Sequence, residues 1–345
     1  MPTTVRTTRD AEKVFGVEQV ATISQSTGVS NRRVANPPMC TSDLCQAAAQ
    51  RLLSELGWAP SEVGGLVFVS QTPDHVLPAT SCCLQSRLGL PATAFAFDVN
   101  LGCSGYVYGL WIAASLVKTM GTRVLLLVGD TITRKISDED RSVALLFGDA
   151  GTATAIEPVL ESSPAVFELG TDGTGAEALI IPAGGCRRPL DAAAVVPSVR
   201  ENGNIRSDAD LFMDGPEIFA FTLRRVPPLI RATLRHAGCA MEDVDFFVFH
   251  QANRFMLEHL RKGMKIPPEK LVLAMEHFGN TSLASIPMAL TTSPLRQRLH
   301  SSSLRLVLAG FGVGFSWAAT QLQCGPMVMP ELVECPDIQP GQDAR

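Results

Sequence analysis

Gly57-Trp58-Ala59-Pro60-Ser61-Glu62-Val63, running on to Val67-Phe68-Val69, can be laid on Gly238-Cys239-Ala240-Met241-Glu242-Asp243-Val244, running on to Val248-Phe249-His250. Five of the thirteen columns are identical and a sixth is acidic in both, at an offset of 181 residues. The same offset places Leu125-Leu126-Leu127-Val128-Gly129 on Leu306-Val307-Leu308-Ala309-Gly310, and an offset of 177 places Gly102-Cys103 on Gly279-Asn280. Three windows in one order at nearly one offset predict a duplicated unit.

The apolar runs inside these windows are short and flanked by turn residues, as buried strands are. Val63–Val69, Thr93–Val99, Val124–Val128, Asp245–His250, Lys270–Met275 and Arg305–Ala309 are expected as strands. Helical periodicity lies between them: from Ser42 to Leu56 behind a Thr41-Ser42-Asp43 capping cluster, from about Ser104 to Lys118, from Glu217 to His236, and from Ser282 to about Leu299. Strands alternating with helices predict an α/β layered fold. The chain divides near residues 157–170 into halves, 1–165 and 166–325, with residues 326–345 as a loosely held tail rich in Pro and acidic residues. Residues 183–215 show little periodicity and read as an excursion over the surface.

The chain has 345 residues, 46% hydrophobic and 18% charged, enough to bury a large core. A net charge of −5 carries no basic footprint for nucleic acid. No apolar stretch is long enough to span a bilayer, and Met1-Pro2-Thr3-Thr4-Val5-Arg6 lacks the apolar core of a secretory signal, which points to the cytoplasm. Nine cysteines without paired C-x-x-C motifs fit reduced thiols rather than a disulfide framework or a zinc site, and no metal is expected.

Cys103 follows an apolar strand and an Asn100-Leu101-Gly102 turn, and opens a helix. Free N–H groups and partial positive charge there stabilise a thiolate and can later hold an oxyanion. Such a cysteine is either a nucleophile or a buried structural thiol, and position alone leaves both open. His250 ends the strand Phe246-Phe247-Val248-Phe249, where α/β sheets place their sites. Asn280 stands before a helix, as ordinary caps do, but the repeat sets it opposite Cys103. Gly310-Phe311-Gly312-Val313-Gly314 follows the last core strand as a tight turn.

Together these residues resemble the ketoacyl-acyl-carrier-protein synthase III family of the thiolase superfamily. The resemblance rests on Phe97-Asp98-Val99-Asn100-Leu101-Gly102-Cys103-Ser104-Gly105, Leu146-Phe147-Gly148-Asp149-Ala150-Gly151, Val248-Phe249-His250-Gln251-Ala252-Asn253, Gly279-Asn280-Thr281-Ser282-Leu283-Ala284-Ser285-Ile286-Pro287, and Gly310-Phe311-Gly312-Val313-Gly314-Phe315-Ser316-Trp317. It implies a thiolase-like fold of two pseudo-symmetric α/β halves packed as αβαβα layers, and a Cys103–His250–Asn280 catalytic set. It further implies an oxyanion hole from Cys103, Gly312 and Val313, and substrate contacts from Arg141, Asn253, Phe311 and Leu77. A homodimer is implied too, with substrates that are coenzyme A or acyl-carrier-protein thioesters and no cofactor.

The chain departs from the family in places. Thr22 and Ser26 stand where a Trp and an Arg often hold the coenzyme A nucleotide, and Leu77 replaces an aromatic residue that limits the acyl pocket across the dimer in some relatives. The family usually begins with a short strand before the Pro2–Thr7 segment, and since the sequence starts at Met1 that strand is either absent or lies upstream. On the helix after His250, Arg254, Arg261 and Lys265 share a face with Lys262 alongside, a basic surface that would steer acidic acyl carrier protein or simply be solvated. The expected reaction is decarboxylative Claisen condensation of an acyl-Cys103 with a malonyl thioester. Acyl transfer to a hydroxyl or amine on the same scaffold is the alternative.

Overall fold

The apolar runs aligned by the repeat become the centres of two sheets in the computed structural model, which describes residues 1–159 and 165–338. In the first, β1 (Val63–Val69) lies between β2 (Phe95–Val99) and β3 (Arg123–Asp130), parallel to both, and β4 (Ala150–Ile156) runs antiparallel to β3. In the second, β6 (Phe246–Phe249) is parallel to β7 (Leu304–Gly312), followed by antiparallel β8 (Ser316–Cys324) and β5 (Val166–Thr171). The order is β2-β1-β3-β4 in one and β6-β7-β8-β5 in the other. β1 and β6 thus hold like places beside β3 and β7.

Strands buried on both faces need apolar residues at every position. In β3, Leu125 and Leu127 face outward onto α1 (Thr41–Leu56) and α2 (Thr80–Arg87), whereas Val124, Leu126 and Val128 face the other sheet. α3 (Gly105–Met120) fills the space between the sheets, joined there by α6 (Ser285–Thr292). The outer face of the second sheet packs Phe247, Phe249 and Val307 against α4 (Gly215–His236) and α5 (Arg254–Met264). The result is five layers, αβαβα, with α3 sealed in the middle.

Several elements differ from expectation, each for a local reason. Residues 270–275 run beside β6, with Leu271 bridged to Phe247, but form no strand. One backbone bond to β6 remains, Val272 N–H to Phe247 O at 3.0 Å, and the side chain of Gln251 takes the next two groups: Nε2 donates to the Val272 carbonyl at 3.2 Å and Oε1 accepts from Ala274 N–H at 2.7 Å. The helix expected from Ser282 to Leu299 is a short 3-10 turn, then α6, then α7 (Leu295–Ser301). Pro294 forces the break by holding Ser293 extended. α1 is capped by Cys40, whose N–H donates to Asp43 at 2.7 Å, because Thr41 and Ser42 turn their hydroxyls to Thr72 and Asp74.

The surface excursion at 183–215 is tied down by charge. Arg188 and Arg200 each meet Asp208 at 2.7 Å, and Arg206 meets the buried Asp140 at 3.0 Å. The segment after Met327, expected to be loosely held, is also fixed. The Met1 amine donates to the Val333 carbonyl at 2.7 Å, Cys335 N–H donates to Met1 O at 2.7 Å, and Arg33 pairs with Glu334 at 2.8 Å. The end of that segment, 339–345, and part of the expected junction at 157–170 lie outside the described residues.

Candidate active site

Three helix starts and strand ends converge at the seam between the sheets. Cys103 is 6% exposed, in the turn that leads from β2 into α3. The turn is clasped by Gly105 N–H to Gly102 O, and Ser104 Oγ meets Ser316 Oγ of β8 at 2.7 Å. β7 approaches from the other half. A β-carbon on Gly310 would come within 2.6 Å of Cys103 O, and one on Gly312 within 2.9 Å of its Sγ, so only glycines let the strand end come this close.

His250 leaves β6 with its N–H bonded to Ala309 O at 2.8 Å. Its Nδ1 meets Ser285 Oγ at 2.7 Å, and that oxygen also accepts Gln251 N–H at 3.2 Å. With the serine proton directed to Nδ1, Nε2 carries the ring proton and donates, and that is the tautomer the site needs if His250 is to act as a hydrogen-bond donor. Burial holds His250 down to about 4, against a smaller opposing effect from the Ser282 backbone, so the ring is neutral at pH 7.

Asn280 is fixed across the seam: its N–H donates to Leu146 O at 2.9 Å and its carbonyl accepts Gly148 N–H at 3.0 Å. Oδ1 accepts Ser282 N–H at 2.9 Å, which commits the oxygen. Nδ2 reaches only Ala252 O, at a long 3.4 Å, so one amide proton remains for a ligand. Cys103, His250 and Asn280 together line a narrow cavity of about 70 Å³, with Asn253, Phe311 and Gly312. Phe311 stands edge-on to the His250 ring at 5.9 Å.

The Cys103 thiol is not activated at rest. Burial pushes it up to about 12, and the N–H groups of Val313 and Cys103 and the Ser282 hydroxyl pull it back only in part. The helix start counts for less than desolvation here. Those same N–H groups nevertheless surround the sulfur, where an acyl oxygen would sit.

The other expected contacts divide. Asn253 caps α5 by accepting Met256 N–H at 2.8 Å and also lines the narrow cavity. Arg141 lines neither cavity at Cys103, since its guanidinium is turned to Asn202 O at 2.9 Å in the surface excursion. Leu77 is 80% exposed, on the loop before α2, and lies outside both cavities. Arg254 and Lys262 are exposed on α5, and Lys265 is exposed just past its end, where φ of 57° takes it off the expected helical face, whereas Arg261 is drawn inward to Glu258 at 2.9 Å and to Ile266 O.

Sequence reading missed Asp130, Gln71, Ser282 and Ser285. Asp130 ends β3, completely buried, and its Oδ1 accepts from Ser70 Oγ at 3.1 Å, Gln71 N–H at 2.7 Å and Thr72 Oγ1 at 3.2 Å. Burial raises its carboxyl to about 6 against the Ser282 hydroxyl first and then these bonds, so Ser282 stands between Asp130 and Cys103. An acidic residue closing an otherwise apolar strand was the available signal.

The raised carboxyl predicts a pH effect. Folded Asp130 holds its proton more tightly than the unfolded carboxyl at 3.8, so its contribution to stability falls as pH rises from about 4 to 6 and stays lost above. Asp130→Asn is expected to lose that contribution. In urea unfolding at pH 4.5 and 7.5, the variant should gain on wild type at the higher pH. A constant difference between the two curves would contradict the buried charge.

Models of two family regions match the chain: 3-oxoacyl-[acyl-carrier-protein] synthase III over residues 97–173, and its C-terminal region over 234–324. The chain is 33% identical over 326 residues to the β-ketoacyl-[acyl-carrier-protein] synthase III of Caldanaerobacter subterraneus subsp. tengcongensis, covering 94% of this chain and 95% of that one. Among solved structures it resembles the 3-oxoacyl-(acyl-carrier protein) synthase of Burkholderia xenovorans LB400, with 45% identity, TM-score 0.91, and 97% and 94% of the two chains covered. It also resembles the β-ketoacyl-[acyl-carrier-protein] synthase III of Thermus thermophilus, with 32% identity, TM-score 0.80, and 94% and 97% covered.

Proposed function

Because the chain belongs to the 3-oxoacyl-[acyl-carrier-protein] synthase III family and is a condensing enzyme of that type, we propose that Cys103, His250 and Asn280 carry its reaction. The observation behind this is their convergence on one narrow cavity, with Val313 N–H and Cys103 N–H against the sulfur. Cys103 sulfur attacks the carbonyl of an acyl thioester, the old carbon–sulfur bond breaks, and the thiol proton leaves with the departing thiol. The N–H groups of Cys103 and the Gly312–Val313 turn hold the oxyanion.

A malonyl thioester then enters the narrow cavity. Loss of carbon dioxide sends the electron pair of the broken carbon–carbon bond to the thioester oxygen, where His250 Nε2–H and Asn280 Nδ2–H donate to the enolate. Its carbon attacks the acyl-Cys103 carbonyl, a new carbon–carbon bond forms, and the cysteine sulfur departs to recover a proton. Thioesters supply every electron in this scheme, so it calls for no cofactor. The nine free thiols suit a reducing compartment, the cytoplasm. Intact-mass measurement with acyl-coenzyme A and acyl-carrier thioesters, beside labelled carbon dioxide release from malonyl thioesters, tests the whole. An enzyme that acylates yet never decarboxylates, while passing its acyl group to an alcohol or amine, would refute it.

The carrier protein is proposed to dock through its acidic surface on the exposed Arg254, Lys262 and Lys265. Two copies are proposed to pair through β2, whose outer edge has no partner among the described residues, and through Val76 and Leu77, which are 99% and 80% exposed. Multi-angle light scattering at micromolar concentration should give twice the 36.9 kDa of one chain. A monomer would refute the pairing.

A further inference from the structure

A second cavity, of about 390 Å³, opens at Cys103. Ile132, Phe147, Leu179, Ile181 and Leu211 make most of its wall apolar, but Gln71, Asn100 and Ser282 interrupt it. All three polar groups lie close to the nucleophile. Gln71 Oε1 is 2.6 Å from where a β-carbon of Gly102 would stand, Asn100 is in the same turn, and the Ser282 hydroxyl reaches the Cys103 thiol.

The loop that carries Gln71 is held in place. The Gln71 backbone is bonded to Asp130, whose carboxylate also clasps Ser70 and Thr72 on either side. Yet among the described residues no protein group pairs with the side-chain amide of Gln71 or of Asn100. A saturated acyl chain would cover the half-buried Gln71 amide and strip its water without returning a hydrogen bond, which is costly, whereas the exposed Asn100 amide keeps its water until a ligand hydroxyl replaces it. A hydroxyl would satisfy them, because an amide offers both a donor and an acceptor. A carboxylate is the poorer fit, since the buried Asp130 lies behind the same loop and repels negative charge.

We infer that the acyl group taken up by Cys103 is a hydroxyacyl chain, its hydroxyl a few bonds from the thioester and bound by Gln71 and Asn100. The position follows from Gly102, the residue next to the nucleophile, lying against the Gln71 amide. This specificity rests on the acyl-enzyme reading above.

The test compares a hydroxyl with a methyl of the same shape. Acylation rates of Cys103 are measured by intact mass with (R)- and (S)-3-hydroxybutyryl, 3-methylbutyryl and acetyl thioesters of coenzyme A and of carrier protein. One hydroxybutyryl enantiomer is expected to react at least ~10-fold faster than 3-methylbutyryl in the wild type. Gln71→Met is expected to erase or invert that ratio, and Asn100→Leu to lower it, which covers a Gln71 variant that fails to fold. Equal or faster reaction of 3-methylbutyryl than of both enantiomers in wild type overturns the specificity and leaves the acyl-enzyme standing. A preference that survives both substitutions overturns the assignment to these residues. No modification by any thioester, acetyl included, would overturn the acyl-enzyme itself and this inference with it.

Discussion

Cys103→Ala is expected to lose acyl-enzyme formation by about 10⁴-fold or more, the scale seen when a covalent nucleophile is removed. The substitution takes away one sulfur and leaves the surrounding machinery intact. Cys103 is held through its backbone turn, and the Ser104–Ser316 bond does not involve the thiol. His250 is fixed through Ser285, and Asn280 through Leu146 and Gly148. Both donors to the enolate therefore stay in place. The variant should still release carbon dioxide from a malonyl thioester, within about tenfold of wild type, but form no carbon–carbon bond. Peptide mapping after acyl-thioester treatment and labelled carbon dioxide release, run in parallel, read the two steps apart. An acyl group that still accumulates on the alanine variant at the wild-type rate would remove Cys103 from its role.

Asn280→Ala is expected to show the opposite pattern. Decarboxylation builds negative charge on a thioester oxygen, and loss of one donor to such an oxygen typically slows a reaction by about 10²–10³-fold. Acylation of Cys103 does not pass through that enolate, so it should change much less. The side chain is suited to this role because Ser282 N–H commits Oδ1 and directs the amide protons outward. Truncation also frees that Ser282 N–H, in a residue with φ of 51°, so some local loosening is expected as well. Asn280→Asp separates the two effects. It keeps the bond to Ser282 but offers no donor when ionised, and should match the alanine variant in carbon dioxide release, at some cost in thermal stability because a buried carboxylate oxygen then faces Ala252 O. If both variants decarboxylate at the wild-type rate, Asn280 is a helix-start residue and nothing more.

The layered fold, and the meeting of Cys103, His250 and Asn280 at one place, were legible in the residues themselves. The periodicity of Val63–Val69 and of the Phe246–Phe249 run marks strands buried on both faces, and burial on both faces demands helices above and below. Such patterns are local, and a linear reading can find them. The faint repeat added long-range information by setting Asn280 opposite Cys103 through a shared topology.

The chemistry of the individual groups came only from tertiary structure. Whether Cys103 is a thiolate at rest depends on a balance between helix-start N–H groups and desolvation, and desolvation is set by β7 and its glycines, two hundred residues away in sequence. Arg141 and Arg261 look like free cations in the sequence, and the fold gives them to Asn202 O and Glu258. Gln251 reads as part of a catalytic motif, yet its amide replaces a strand that residues 270–275 do not form. Asp130 and Gln71 carry no motif at all, and acquire meaning because the end of β3 and the loop after β1 meet beside Cys103. The sequence determined which segments are strands and helices and that the central strands are buried on both faces, since those follow from periodicity along the chain. Tertiary structure alone decided which polar groups are satisfied and which face a cavity, because that depends on neighbours brought together only by folding.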